Sequence, residues 1–257
     1  MYKFPTDADN TLWNTITAGE HWFNVRARIA GTVYGQDQIV EMTASSRVFS
    51  GEQPAVGGCI ASELSLKMLK PSAEIPRMAK VEPFVQAAND DYSSAWMPQG
   101  VYYIDTREET RNDDGIPVLS MHCYDAMLMA EQEFPSITGG WPRSDIDVVK
   151  IIAKYMGLQS SVYLTTGIDQ RTVDAMDKAY QINLPASYSL RETLSYIAAM
   201  YAGNFIMSFE GKLLLVTISG IPAETSLLVD ESGNVITFGI DPDTGEELAI
   251  SLVDTSV

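Results

Sequence analysis

The pattern of apolar and polar side chains between residues 24 and 130 is that of β-strands. In the segment Val25–Ile29, apolar residues alternate with two arginines, which is the period of a strand with one buried face. Turn sequences separate further segments of this kind, and the strongest of them is Asn112–Gly115, rich in Asn, Asp and Gly. Several short strands at fairly regular spacing predict a barrel or a sandwich. The further segments are 32–34, 39–42, 59–66, 80–86, 100–107 and 118–124.

One proline refines this picture. Pro83 lies inside the segment 80–86. Because proline has no N–H for a ladder hydrogen bond, it indicates an edge strand or a bulge at this point.

Beyond residue 141 the apolar period lengthens to that of α-helices. A first helix is predicted to begin after Ser144, a natural N-cap, with Asp147 at a position that suits the positive end of the helix dipole. Gly157 is the predicted end. The apolar stripe consists of Val148, Ile152 and Tyr155, with Val149 and Met156 beside it.

A second helix carries a stronger start signal. Ser189 and Glu192 have the spacing of a capping box, in which each side chain satisfies the other residue's backbone N–H. Gly203 is the predicted end, and segments 204–208 and 212–217 then predict a hairpin against the helix. The apolar stripe of the helix consists of Leu190, Leu194, Ile197 and Tyr201.

These patterns predict a β-rich α+β protein with several parts. Residues 1–23 show no clear period and are interpreted as a lead-in, in which Trp13, Trp22 and Phe23 dock on an apolar surface. Residues 24–130 form the barrel or sandwich domain, and 131–220 a smaller α/β domain with two helices and a hairpin. Residues 221–257 form the start of a third β unit, so we expect the chain to be a piece of a longer protein.

The charge balance narrows the class of partner. The chain carries 17 basic and 34 acidic side chains, a formal net charge of −17. Nucleic-acid backbones and anionic lipid surfaces are bound by Lys and Arg, so the balance argues against both. The start of the chain lacks the basic and apolar pattern of a secretory signal, and the stretch 194–207 is too short for a membrane span. We therefore expect synthesis in the cytoplasm.

Histidine and cysteine are too few and too scattered for a recognisable reaction centre. Each of the two cysteines, Cys59 and Cys123, is predicted to sit in a strand as a small apolar residue, and whether they pair is left open. Neighbouring strand residues point to opposite faces, so His122 and Cys123 do not share one pocket. Together with His21, these residues lack the local spacing of a zinc site.

The acidic residues follow turns and helix starts. The turns at 90–91, 113–114 and 241–243 hold paired aspartates but lack the pattern of a calcium loop. The spacing leaves open a paired-carboxylate glycosidase, since any two acids can meet in three dimensions. The sequence therefore predicts no catalytic, cofactor-binding or metal-binding residue, and a protein that is not an enzyme.

Six stretches, taken in order, resemble tail proteins of phages and prophages of Gram-positive bacteria. The resemblance covers residues 20–240 and depends on the number and order of the stretches, because none is a catalytic signature. The stretches are Ala61–Leu66, Ile75–Ala79, Trp96–Arg107, Leu119–Leu128, Trp141–Val149 and Leu184–Phe205.

The resemblance implies membership of the baseplate hub family at the tail tip. Such proteins form a homotrimeric ring that caps the tail tube, with tube-like β-barrels around a lumen. The implied partners are the distal tail or tube protein, the tape-measure protein, and tip or spike proteins. DNA would pass through the lumen without specific binding, and an acidic lumen would keep it from sticking.

Two other functions remain open from the sequence. One is a tail-associated cell-wall hydrolase or endopeptidase. The other is a receptor- or carbohydrate-binding tip, for which Trp96 and Trp141 are the candidate exposed aromatic residues.

Overall fold

A computed structural model describes most of the chain. The described residues are 4–49, 55–112, 114–137, 139–158, 167–185 and 187–217, with four short strands between 225 and 253. The chain divides into two compact units, residues 2–217 and residues 218–257. Each unit is described by itself.

The first unit contains an antiparallel sheet of eight strands. The strand order is β2-β1-β5-β7-β8-β4-β3, and β6 pairs with β5. This architecture, with helices added, confirms the predicted β-rich α+β class. The strands are β1 (Trp22–Ile29), β2 (Thr32–Tyr34), β3 (Ile39–Ser45), β4 (Glu63–Leu69), β5 (Lys80–Ala88), β6 (Met97–Pro98), β7 (Tyr102–Arg111) and β8 (Pro117–Asp125).

The sheet curls around one apolar core. β2 and β3 stand at opposite ends of the strand order, yet only residues 35–38 join them, so the sheet curves back on itself. In the described part of the chain, β2 and β3 do not pair, and the ladder is open at this seam. Side chains from every strand except β6 meet in the core, among them Ile29, Tyr34, Leu66, Ile104 and Met121. Burial of one such Leu or Ile stabilises the fold by about 1.5–3 kcal/mol.

The prediction that Pro83 marks an edge or bulge was wrong. β5 is an interior strand, and Pro83 pairs with Ala27 of β1 in an uninterrupted register. On its other side, β5 pairs with β7 at Lys80–Val81 and with β6 at Phe84–Val85. The proline therefore falls where β5 changes partners, and its missing N–H removes no ladder bond there.

The lead-in contains a helix that the apolar period did not predict. Helix α1 spans Asp7–Thr17, and its N-cap Thr6 accepts a hydrogen bond from the amide of Asp9. Ile16 is the one fully buried residue of the helix, which explains the absent stripe. The ring of Trp13 lies 5.6 Å from that of Phe4 and 6.1 Å from that of Phe23, so the segment packs as an aromatic cluster.

A second apolar core is built from residues 126–217 with help from the segment before β4. A 3₁₀ helix (Ala126–Glu131) follows β8, and both predicted helices are present as α2 (Asp145–Tyr155) and α4 (Leu190–Met200). Helix α3 (Gln170–Ala175) and the short pair β9 (Arg143–Ser144) and β10 (Gln181–Ile182) were not predicted. The predicted hairpin is β11 (Gly203–Met207) with β12 (Leu213–Thr217).

Three details of the helical part differ from the prediction. Tyr155 is 45% exposed and does not belong to the buried stripe of α2. Gly203 begins β11, and Tyr201 is the C-cap of α4. The segment 59–66 is not one strand, because β4 begins at Glu63 and Cys59 forms an isolated bridge with Phe205.

The second unit contains two antiparallel strand pairs. β13 (Thr225–Leu227) pairs with β16 (Ser251–Val253), and β14 (Thr237–Ile240) pairs with β15 (Glu247–Ala249). The predicted turn at 241–243 lies outside the described residues, as does Asp113 of the turn at 113–114. The predicted domain boundaries stay a prediction. Within the described residues, no helix is long and apolar enough to cross a membrane.

Candidate functional site

The histidine and cysteine of β8 lie on opposite faces of the sheet. Cys123 is fully buried in the core enclosed by the sheet, whereas the imidazole of His122 is on the outer face, where it pairs across the strands with Ser65. Burial raises the pKa of the Cys123 thiol to about 12. A buried thiol with a raised pKa, turned away from the imidazole of His122, is a poor nucleophile at neutral pH.

The second cysteine is also a packing residue. Cys59 is buried, and its thiol lies 3.5 Å from the carbonyl oxygen of Arg191 and 3.4 Å from the hydroxyl of Ser195. Burial raises its pKa to about 11. Both cysteines are free thiols, so Cys59 and Cys123 do not form a disulfide with each other.

The histidines have local partners rather than a shared site. His21 is exposed, with its Nδ1 2.8 Å from the carbonyl of Gly19. His122 Nε2 lies 3.5 Å from the carboxylate of Glu63, and its ring meets that of Tyr124 edge-on at 4.8 Å. Among the described residues, no three His, Cys, Asp or Glu side chains are grouped as metal ligands.

One buried carboxylate was not singled out from the sequence. Asp125 ends β8, and its two oxygens accept hydrogen bonds from the amides of Ser62 at 2.7 Å and Met127 at 2.9 Å. Burial raises the pKa of this carboxyl group to about 6, against the opposing effect of these bonds. It caps the 3₁₀ helix and fixes the chain before β4, so its role is structural. The signal was an Asp directly after a strand pattern, a position typical of a cap.

The two candidate aromatic residues are not exposed platforms. The guanidinium of Arg26 lies 4.2 Å over the ring of Trp96. Trp141 packs against Phe134, and its indole N–H donates to the carbonyl of Ile137 at 3.1 Å. Both residues are partly buried in contacts within the chain, and the guanidinium of Arg143 lies 5.2 Å from the ring of Trp141.

The candidate interaction surface is a four-stranded section of the sheet whose two outermost strands each have an unpaired edge. β3, β4, β8 and the outer half of β7 lie side by side in that order. β5 pairs with β7 only at Tyr102 and Tyr103, and the last backbone hydrogen bond on this side is the amide of Ile104 donating to the carbonyl of Ala79. Further along β7, the guanidinium of Arg107 donates to the carbonyl of Ile75 in the segment before β5. From Asp105 onward, no described strand pairs with this side of β7, and the same holds for the outer side of β3.

A bulge sets the direction of the side chains along this section. The register between β7 and β8 shifts between Ile104 and Thr106. Before the shift Ile104 faces the core enclosed by the sheet, and after it Thr106 and Glu108 share the outer face with His122 and Ser120. Every residue of Asp105–Arg111 is exposed.

The outer face of the section is polar. It forms a shallow depression with a cavity volume of about 420 Å³. Three glutamates and one lysine stand on it among hydroxyl side chains, so the face is net acidic. The residues are Glu41, Thr43, Ser45, Glu63, Ser65, Lys67, Ser120, His122, Tyr124, Thr106, Glu108 and Thr110.

Comparisons by sequence give no match. No protein-family model matches this chain, and no curated protein does.

Comparisons by structure do give matches. The 43 kDa tail protein of prophage MuSo2 from Shewanella oneidensis superimposes with a TM-score of 0.51 at 14% identity, over 81% of this chain and 59% of its own. The tail protein from Neisseria meningitidis MC58 gives 0.49 at 12%, over 80% and 53%. The PdpA–VgrG complex of Francisella gives 0.45 at 8%, over 80% and 34%.

This chain therefore spans less than two thirds of each of these proteins. The likeness to the MuSo2 protein shows the fold, and the fold of this chain is that of a phage tail protein.

Proposed function

We propose that this chain is a structural subunit of a phage-type tail tip, in a baseplate hub ring that closes the tail tube and connects it to tip proteins. The observation that carries the proposal is the four-stranded section, whose two opposite edges are unpaired while its outer face is polar. The fold shared with a prophage tail protein supports it.

A ring subunit needs two surfaces that join it to its neighbours. Unpaired strand edges offer N–H and C=O groups to another chain, and a protein that leaves a long edge free invites such pairing. β3 is seven residues long and carries one charged residue, Glu41, so little protects its edge. Edges on opposite sides of one section allow each copy to bind two others, as a closed ring requires.

The polar outer face fits the bore of such a ring. Its net acidic charge would repel the phosphate backbone of passing DNA, which keeps the passage free of specific binding. A homotrimer, with the tube protein on one side and tape-measure, tip or spike proteins as further partners, completes the proposal. The resemblance to phages of Gram-positive bacteria stays a prediction, since the similar structures come from Shewanella, Neisseria and Francisella.

The proposed role does not include catalysis. Both thiols are buried with raised pKa values, and His122 lies on the opposite face of the sheet from Cys123. A turbidity assay on purified bacterial cell walls distinguishes this role from a hydrolase, because we expect no clearing by the chain.

Immunogold electron microscopy tests the location. Antibodies against residues 2–217 are applied to intact particles from the bacterium that encodes the chain. We expect gold at the tail end far from the capsid and nowhere else. Gold along the whole tube, or particles that lack the protein, would contradict the proposal.

A further inference from the structure

We propose that the free edge of β3 in one copy pairs antiparallel with the free edge of β7 in the next copy. All copies then join head to tail in the same orientation. The inference rests on the proposed ring function and names the contact that builds the ring.

The strand directions favour this contact. β3 is antiparallel to β4, β4 to β8, and β8 to β7, so β3 and the outer half of β7 run in opposite directions within one chain. A second copy in the same orientation therefore presents its β3 antiparallel to β7 of the first. A two-fold contact of β3 with β3 would leave every β7 edge unpaired, whereas the head-to-tail contact uses both edges of every copy.

The side-chain faces restrict the register. Strand side chains alternate between faces, so outer-face residues of β3 must meet outer-face residues of β7. The outer-face residues of β7 are Thr106, Glu108 and Thr110, and those of β3 include Thr43 and Ser45. Opposing hydroxyl-bearing side chains stabilise such a pairing. The register that sets Glu41 against Glu108 is excluded, because like charges directly opposite destabilise a sheet.

Charge along the two edges is compatible with the contact. The outer half of β7 carries charges of both signs, with Asp105, Arg107, Glu108, Glu109 and Arg111, and charged edge residues discourage random pairing. Residues Met42–Ser45 carry no charge, so they meet this edge without repulsion. β2 has three residues and is too short to take the place of a partner along the seven residues of β3.

Disulfide trapping tests the contact. Within one chain, Thr43 and Glu108 stand on strands separated by β4 and β8, about 14 Å apart at the usual strand spacing. A disulfide needs Cα atoms within about 7 Å, so a bond between these positions must join two chains. The native thiols, Cys59 and Cys123, are buried and do not compete.

The variants T43C/E108C and T43C/T110C, which sample two allowed registers, are oxidised in concentrated solution and run on non-reducing gels. We expect at least one to give a ladder of covalent oligomers that a reducing agent collapses. The control variant T43C/E109C places the second thiol on the inner face, and we expect at least a tenfold weaker ladder. No ladder from either test variant, or equal ladders from test and control, would overturn the contact.

The two proposals fail separately. If the wild-type chain labels the tail tip but neither test variant is trapped, the ring is built by other surfaces and this inference alone is wrong. If trapping succeeds but the chain is absent from the tail tip, the contact stands and the proposed location is wrong.

Discussion

At the scale of single residues, burial determines what Cys59, Cys123 and Asp125 can do. Alternation along a strand placed His122 and Cys123 on opposite faces, and this followed from the sequence because the period of a strand is fixed. The environment of Asp125 did not follow, since its burial depends on how β8 meets the segment before β4.

The reactivity of the thiols tests this view. The pKa values of Cys59 and Cys123 are raised to about 11 and about 12 by burial, so almost no thiolate exists at pH 7.5. We expect a disulfide reagent such as DTNB to titrate both thiols within minutes in denaturant but at least 100-fold more slowly in the native protein. Rapid reaction of either thiol in the native state would contradict the assignment.

The carboxyl group of Asp125 gives a pH prediction. Its pKa is raised from 3.8 to about 6, so between these values the folded state binds more protons than the unfolded state. The contribution of this group to the free energy of unfolding therefore increases as the pH falls from about 7 to about 4. A shift of this size corresponds to about 3 kcal/mol.

Urea unfolding of the wild type and of Asp125→Asn at several pH values measures the contribution of this carboxyl group to the free energy of unfolding. Nearby groups that carry or exchange charge are Arg191 and Tyr102, and the variant retains both. We expect the wild type to gain free energy of unfolding relative to Asp125→Asn as the pH falls from about 7 to about 4. Asp105→Asn, an exposed position, is the control. The same pH dependence in the control would count against Asp125 as its source.

At the scale of elements, the sequence predicted best where a local rule decides the outcome. Both capped helices formed because Ser144 and Ser189 satisfy the first free amides from within the segment itself. Helix α1 was not predicted because a helix is recognised in a sequence by its apolar period, and only Ile16 of this helix is buried. Pro83 was misread because the position where β5 changes partners is set by tertiary contacts.

The capping box of α4 supports a stability prediction. The hydroxyl of Ser189 accepts from the amide of Glu192 at 3.1 Å, and the carboxylate of Glu192 accepts from the amide of Ser189 at 2.7 Å. Ser189→Ala is expected to lower the free energy of unfolding by about 1 kcal/mol, whereas Ser189→Gly is expected to cost only a few tenths of that. If urea unfolding gave equal losses of unfolding free energy for the two variants, the preference of the N-cap position would not be the cause of the loss.

At the scale of the whole molecule, the barrel-like sheet and the α/β part could be anticipated, but the free edges could not. The alternation of residues does not determine the order of strands in a sheet. The pairing of β7 with β5 ends inside a segment whose pattern predicted a single strand at 100–107. The candidate surface is therefore a product of topology, which explains why no motif marked it.

The acidity of the proposed bore gives a prediction at this scale. Reversing two outer-face charges, in Glu41→Lys/Glu63→Lys, should make the bore attract DNA and slow genome ejection several-fold. The matched control, Asp90→Lys/Asp91→Lys, changes the net charge equally at an exposed turn away from this face. Fluorescence of released DNA follows the kinetics. Equal slowing in both variants would indicate an effect of net charge alone.

The proposed ring surrounds the tail bore, and the polar sheet face of each copy is turned inward. Cryo-electron microscopy of the tail tip, with image averaging about the tail axis, tests it most directly. We expect copies of residues 2–217 in a closed ring, with β3 and β7 of neighbours side by side and Glu63 facing the bore. Copies that sit outside the tube as separate fibres, or a ring with the polar face turned outward, would contradict it.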